Sequence, residues 1–137
     1  MGDVEIIKDN EEILAIIIRK DFKAEGIKFF TPDDFSQQLA YMRHPKGKKI
    51  KPHIHNAVKR EVHFTQEVLI IKSGKLKTNI FRNDKSFLST HILGAGDVIL
   101  LAGGGHSFEG LEDFEMIEIK QGPYAGDQDK THFEEKI

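Results

Sequence analysis

Residues 66–82 read Gln-Glu-Val-Leu-Ile-Ile-Lys-Ser-Gly-Lys-Leu-Lys-Thr-Asn-Ile-Phe-Arg, and this stretch decides the predicted fold. Its first seven residues contain the apolar run Val68-Leu-Ile-Ile71 between polar residues, and such a run of branched side chains is typical of a buried strand. Ser73-Gly74 then marks a turn, because glycine adopts backbone angles that other residues avoid. A second strand is predicted to follow at once, over 75–82. Two short strands meeting at a tight turn indicate β architecture.

The same pattern of short apolar runs and turns continues on both sides of this stretch. Pro32 at the first helical position, after Thr31 as a cap, predicts one helical turn through Gln37. Pro45-Lys-Gly-Lys48 and the glycine-rich stretches 94–96 and 103–105 predict turns. The further predicted strands are 13–19, 28–30, 38–43, 50–55, 88–93, 98–101, 106–108 and 114–120. Strands at such regular spacing predict an all-β fold, an antiparallel sandwich or barrel with at most one or two short helical turns.

Composition excludes several classes of protein. The chain has 137 residues, of which 39% are hydrophobic and 31% charged, and this balance is typical of one globular domain spanning 1–137. A net charge of −2 gives no reason to expect nucleic acid as a partner. No apolar run approaches the length of a membrane span, and no secretion signal precedes the first strand. The absence of cysteine excludes disulfides and thiolate metal sites. We therefore expect a cytoplasmic protein that has neither membrane nor nucleic-acid partners.

Four residues together suggest a metal site. His53 and His55 are two positions apart, so they would share one face of the predicted strand 50–55. Glu67 lies at the start of the predicted strand 66–72, and His106 follows three glycines, which permit positive φ angles and a close approach of the backbone. Three imidazoles and one carboxylate suit Fe, Mn, Ni, Co or Zn, and the donor set does not choose among them. We predict one divalent transition metal bound by these four side chains.

The spacing of these residues resembles the two motifs of the cupin superfamily. Gly47 stands five residues before His53-x-His55, and Glu67 stands six residues before Gly74, as in the first motif. The stretch 96–106, which ends in His106, is similar to the second motif. The resemblance covers about 38–120, with N-terminal strands in 1–37 and a tail over 121–137. It implies a jelly-roll barrel with the metal inside, of the kind found among bacterial surface-sugar biosynthesis proteins.

The chain departs from the family pattern within the first motif, between the histidine pair and the glutamate. Eleven residues separate His55 from Glu67, where three or four are usual, and Glu61 lies within this insertion as a rival ligand. We prefer Glu67, because an apolar run and the Gly74 turn follow it at the usual spacing. Whether Glu61 replaces it stays open.

The function predicted from this pattern is a metal-dependent enzyme of isomerase or epimerase type. A sugar or nucleotide-sugar is the expected small polar substrate. An Fe(II)-dependent dioxygenase and a non-catalytic binding or sensing module are the alternatives, because a jelly roll hosts many activities. The candidate residues for acid–base catalysis are Glu61, His63 and Tyr41. The candidates for binding substrate are Arg43, Arg60, Gln66 and Phe108.

A homodimer is the predicted assembly. The apolar run 13–18 would make an edge strand that needs covering, and symmetric pairing is the usual way to cover one. The polar segment 122–137 is expected to wrap over the partner or to fray.

Overall fold

A computed structural model describes residues 2–137 of the chain. Within this range the regular structure is almost entirely β. The strands are β1 (Val4–Asp9), β2 (Glu12–Ile18), β3 (Gly26–Phe29), β4 (Ala40–Arg43), β5 (Glu67–Ser73), β6 (Lys75–Phe81), β7 (Phe87–Gly94), β8 (Val98–Leu101), β9 (Gly105–Gly110) and β10 (Glu115–Lys120). A single 3-10 turn, Gly126–Asp129, follows them. The described chain contains no helix long and apolar enough to cross a membrane.

The strands form antiparallel sheets. Five strands make the largest sheet in the order β1-β2-β8-β5-β10, three make a second in the order β7-β6-β9, and β3 pairs with β4. The all-β, antiparallel prediction is confirmed. The arrangement is consistent with a β-sandwich, and the sheets do not close into one barrel over residues 2–137. β5 and β6 are adjacent in sequence but belong to different sheets.

The main core lies between the five-stranded and three-stranded sheets. Alternate residues of the strands point inward, as the period of two requires. The buried members of this cluster are Ile7, Leu14, Ala15, Ile17, Leu69, Ile71, Leu76, Ile80, Leu93, Ile99 and Leu101. The opposite face of the five-stranded sheet is also covered. There Ile16, Ile18, Val68 and Leu100 pack against aromatic and apolar side chains of 22–39.

Burial on both faces explains the continuous apolar run at 13–18. β2 lies between β1 and β8, so it is a central strand, and the prediction of an exposed edge strand there is wrong. Strands buried on both faces read as unbroken hydrophobic runs. β1 covers this edge, and it is a strand that the sequence pattern did not predict. The argument for a dimer through 13–18 therefore loses its basis, while the homodimer itself stays a prediction.

Two local predictions fail between β3 and β5. Residues 31–37 form bends and turns rather than a helical turn, because the Thr31 hydroxyl donates to Gln38 Oε1 and accepts from the backbone of Leu39 instead of capping a helix. Residues 50–55 form no strand and are exposed throughout. Pro52 lacks the amide hydrogen that a ladder needs, and neither Ile50 nor Ile54 finds a core to pack against. The turn at 45–48 is confirmed by a hydrogen bond from the Lys48 amide to the Pro45 carbonyl, 3.2 Å.

The predicted turn glycine at 74 is required by its surroundings. Gly74 has φ +83°, and an added Cβ would collide with the backbone of Asp113 and lie 2.7 Å from the Cα of Phe114. Glycine alone fits both constraints. This turn starts the crossing of the chain from the five-stranded sheet to the three-stranded one.

Candidate functional site

Glu67 and His106 meet across the gap between the two large sheets. Glu67 opens β5, and its register partner on β8 is Leu101, an inward residue of the core. His106 lies on β9 opposite the buried Ile80 of β6, so it also faces inward. The distance from His106 Nε2 to Glu67 Oε1 is 3.7 Å, although 38 residues lie between them in sequence. Two of the four predicted ligands are therefore neighbours.

A cavity of about 490 Å³ contains this pair. It lies beside β9 and β10, which are the edge strands of their respective sheets. Lys120 of β10 lines it next to Glu67, with which it is in register. The outer wall is the C-terminal strap, which we define as residues 126–135. Small-molecule sites in proteins have this range of volume.

The strap is fixed by polar contacts at both ends and by an aromatic contact between them. Near its start, Asp129 Oδ2 lies 2.7 Å from Lys120 Nζ, and the Thr65 hydroxyl donates to the other carboxylate oxygen. Near its end, Glu135 accepts from the Ser107 hydroxyl. The ring of Phe133 packs edge-on against Phe81, with 5.1 Å between centroids. The prediction that this segment frays is wrong for 126–135, because the strap packs against its own chain, whereas wrapping over a partner stays a prediction.

Electrostatics favour neutral forms of the two central side chains. Burial, and then a hydrogen bond with Glu118, raises the pKa of Glu67 to about 7. The shared hydrogen bond lowers the pKa of Glu118, so Glu67 is the member that holds the proton. Burial lowers the pKa of His106. Although the separation of 3.7 Å satisfies the distance for an ion pair, both pKa shifts oppose ionisation, so the contact is weaker than one between two full charges.

We expect the raised pKa of Glu67 to make the metal-free protein less stable as pH rises. The folded pKa of about 7 exceeds the ordinary 4.5, so the native state binds this proton more tightly than the unfolded state does. The contribution is complete below pH 4.5 and is lost as pH rises to about 7. Urea denaturation at intervals from pH 4.5 to 8 should show stability falling relative to Glu67→Gln.

The matched control for this experiment is Glu61→Gln, since Glu61 is an exposed carboxylate in the same part of the sequence. The free energy of unfolding of Glu61→Gln should change with pH in parallel with that of the unaltered chain. The lowered pKa of His106 acts in the opposite sense below pH 6.5, but it is common to all three proteins and cancels in the difference. Parallel profiles for Glu67→Gln and the unaltered chain would contradict the buried, protonated carboxyl.

His53 and His55 lie away from regular structure, in the exposed stretch 49–64. Their rings contact each other edge-on, 5.1 Å between centroids, and His53 Nδ1 is 2.9 Å from the Lys51 carbonyl oxygen. Across residues 2–137, no group of three or more His, Asp or Glu side chains is placed to hold a metal ion. The four predicted ligands are therefore two separate pairs in this conformation, and as placed they do not fit a four-ligand metal site.

The other candidate residues are distributed around the molecule. Glu61 and His63 are exposed and lie 3.5 Å apart, away from the cavity of Glu67. Tyr41 packs against the ring of Phe22, 4.9 Å between centroids, and Arg43 pairs with Glu25 at the surface. None of these four lines the cavity with Glu67 and His106.

The predicted substrate-binding residues divide between structural and site positions. The Gln66 side chain is buried and accepts from the Gln37 amide, 3.0 Å, so it fixes a turn. Phe108 packs partly into the core with its ring 5.5 Å from that of His106, which makes it a support for the imidazole. Arg60 lines a second cavity, which is adjacent to the first.

Sequence reasoning missed Glu118, which shares a hydrogen bond with Glu67, and the residues of β10 and the strap that line the cavity. Glu118 and Lys120 lie on the same face of β10 as Met116, which packs into the core, and the alternation of 116, 118 and 120 was a signal available in the sequence. Nothing local in the polar tail predicted that Asp129 and Phe133 would contact the sheets. Comparisons of the chain with protein-family models, with curated proteins and with solved structures each find no match.

Proposed function

We propose that the cavity containing Glu67 and His106 is the active site of an enzyme that isomerises or epimerises a small polar molecule, such as a sugar or a nucleotide-sugar. The observation that carries the proposal is the convergence of these two side chains at 3.7 Å within a cavity of about 490 Å³. Isomerisation next to a carbonyl requires one group to remove a proton from carbon and a group to return it. A carboxyl and an imidazole side by side supply both roles.

The surroundings suit a hydroxylated substrate. The hydroxyls of Thr65, Ser107 and Thr131 line the cavity. Those of Thr65 and Ser107 donate to Asp129 and Glu135, and their oxygens can still accept hydrogen bonds from a substrate. Lys120 and Lys130 line it as well, and their positive charge would stabilise the negative oxygen that develops when a proton leaves carbon. The strap limits access of water from outside, which strengthens these electrostatic effects.

A divalent transition metal bound by His53, His55, Glu67 and His106 is the alternative to this acid–base pair, because metal ligation would occupy the lone pairs that proton transfer needs. It requires the exposed stretch 49–64 to carry its two imidazoles to the cavity, because only Glu67 and His106 lie there now. Such a metal would act as a Lewis acid on a substrate oxygen. With the metal bound, the removal and return of the carbon-bound proton would fall to the other candidates, Glu61, His63 or Tyr41, and no longer to Glu67 and His106.

The jelly-roll topology of the cupins is the fold that we propose for the complete domain. The support is the antiparallel sandwich together with motif residues at the predicted positions, since Gly74 forms the turn after β5 and His106 lies on a strand directly after three glycines. The position of the paired side chains between two sheets is the second support.

Proton exchange tests the enzymatic proposal whichever product is formed. The protein would be incubated in D2O with a panel of sugar phosphates and nucleotide-sugars, and loss of carbon-bound hydrogen followed by NMR. We expect exchange with at least one compound, reduced about 10²- to 10⁴-fold in Glu67→Gln and in His106→Asn. His44→Asn is the matched control, because this imidazole does not line the cavity and lies outside the stretch 49–64, and it should leave the rate unchanged.

Several outcomes would contradict the proposal. Full exchange rates in both cavity variants would exclude Glu67 and His106 as the acid–base pair. Tight binding of a compound without exchange would favour the binding module, and Fe(II)-dependent oxygen uptake would favour the dioxygenase. The metal is tested separately, by elemental analysis of the unaltered chain, His53→Ala and Glu67→Ala purified without added metal. Equal metal content in all three would remove the metal from the proposal.

A further inference from the structure

Asp129 lies at the junction of two neighbouring cavities. The cavity of Glu67 and His106 and a second cavity of about 520 Å³ share three lining residues, which are Thr65, Lys120 and Asp129. The second cavity is also lined by Arg60 and by Tyr124, whose side chain is 91% exposed. The contact of Asp129 with Lys120 and Thr65 therefore stands at the junction of the two cavities.

The groups that hold the Asp129 carboxylate form a site suited to an anion. Lys120 Nζ lies 2.7 Å from one carboxylate oxygen, and the Thr65 hydroxyl donates to the other. A cation and a hydroxyl converging on two oxygens of one group form charge-assisted hydrogen bonds, which are stronger than neutral ones. The Lys120 ammonium and the Thr65 hydroxyl also hold the pKa of Asp129 below its ordinary value.

Lys120 and Thr65 are fixed more firmly in the fold than Asp129 is. Lys120 belongs to β10, which pairs with β5 along its length, and Thr65 stands two residues before β5. Asp129 ends a four-residue 3-10 turn that has no side-chain cap and no buried residue. The anion site is thus part of the sheet, whereas its carboxylate comes from a peripheral segment. Segments with few buried contacts are the ones that open at low cost in free energy.

Charge around the junction also favours an anion from solution. Lys130 lines the first cavity and Arg60 lines the second, so each side of Asp129 presents a further cation. The carboxyl groups that line the two cavities are Glu67, Asp129 and Glu135, and Glu135 is engaged by the Ser107 hydroxyl. With Asp129 displaced, Lys120 would be left without its partner at 2.7 Å.

The geometry points to an anion-binding site, formed by Lys120 and Thr65, that Asp129 of the C-terminal strap occupies in the absence of ligand. A phosphate or carboxylate group of a ligand displaces the Asp129 side chain, binds the same two groups and joins the two cavities into one groove. Asp129 is then an internal competitor that keeps the groove divided until an anionic ligand arrives. This inference goes beyond the proposed enzymatic function and does not depend on it, because anion binding is measured without turnover.

The test is titration of the full chain with inorganic phosphate, and separately with acetate, at constant ionic strength, followed by amide chemical shifts. An internal carboxylate competes at an effective concentration of order millimolar or above, so the unaltered chain should bind weakly. Asp129→Asn removes the competing charge and should bind phosphate at least tenfold more tightly. The two anions distinguish a phosphate site from a carboxylate site, since the preferred one should show the larger gain.

Asp127→Asn is the matched control, because it removes the same charge from the same 3-10 turn at a position that is exposed. It should leave the affinity within twofold of that of the unaltered chain. Adding Lys120→Met to Asp129→Asn should abolish the gain. Equal affinity in Asp129→Asn and the unaltered chain, an equal gain in Asp127→Asn, or tight binding that survives Lys120→Met would each overturn the inference.

A second measurement uses the unaltered chain and so does not depend on any variant folding. Saturating phosphate should increase hydrogen–deuterium exchange at the amides of residues 126–135 at least threefold, because the strap loses its contact with Lys120. The amides of β10 should keep their protection, since their partners lie in β5. Unchanged exchange in the strap at saturating phosphate would overturn the displacement step.

Discussion

Replacing Gly104 with alanine is expected to lower the free energy of unfolding by about 3 kcal/mol and to displace His106 from the cavity. Gly104 has φ +65°, and an added Cβ would collide with the backbone carbonyl oxygen of Phe81 while lying 3.3 Å from Leu14 Cδ1. The left-handed conformation costs alanine about 1 kcal/mol, and overpacking against a backbone atom costs about 1–3 kcal/mol more. The next residue, Gly105, pairs with Phe81, so relief of the collision must move the start of β9.

Urea denaturation of Gly104→Ala and Gly103→Ala measures this effect against a close control. A Cβ at Gly103 would lie 2.9 Å from Glu12 Oε2, which is the far end of a flexible side chain and can move aside. We expect Gly103→Ala to cost less than about 1 kcal/mol. The imidazole NMR signals of His106 should shift in Gly104→Ala and stay in place in Gly103→Ala. Equal stability of the two variants would contradict the requirement for glycine at 104.

The triple glycine illustrates what sequence could predict about the site. Three glycines before a histidine predicted positive φ angles and a close approach of the backbone, and this is confirmed at Gly104. Gly105 serves a different purpose, because a Cβ there would lie 2.8 Å from the ring of Phe133 in the strap. That second role depends on a segment 28 residues away, and no local pattern in the sequence indicates it.

Most strands between β5 and β10 could be predicted because their signals are local. Branched apolar runs bounded by glycine placed β8 at its observed bounds and the others to within a few residues. Which strands pair was not predictable in the same way. β5 lies between β8 and β10 and not beside β6, and this order depends on long-range burial and not on the turn that joins them.

The HxH pair shows where local pattern reading fails. Alternation over 50–55 predicted a strand, yet the segment is exposed and unpaired with any sheet in the described chain. A spacing of two residues predicts which face of a strand each side chain would occupy if a strand formed. It does not predict whether a neighbouring strand is available for pairing. Glu67 and His106 belong to strands with buried partners, and those two are the predicted ligands that the fold brings together.

Asp97→Ala is the variant expected to destabilise the protein most, by about 4 kcal/mol. Asp97 is 7% exposed and closes the turn between β7 and β8. One carboxylate oxygen accepts from the Lys20 amide, 2.9 Å, and the other accepts from the Gly94 amide, 2.8 Å, and from Arg19 Nη1, 3.1 Å. Alanine leaves two amide groups without their acceptor and removes one of the two carboxylates that bind Arg19, and each buried amide left unsatisfied costs about 1–3 kcal/mol.

Glu5→Ala is the matched control, because Glu5 also binds Arg19, at 2.6 Å, but its side chain is 31% exposed. Its loss should cost about 1 kcal/mol. Chemical denaturation of both variants, of Arg19→Met and of Asp97→Ala combined with Arg19→Met separates the causes. If the contact of Asp97 with Arg19 contributes, the double variant loses less than the sum of the Asp97→Ala and Arg19→Met losses, since both single variants remove that contact. Strict additivity would assign the whole effect to the two backbone amides, and equal losses in Asp97→Ala and Glu5→Ala would contradict the special role of the buried turn.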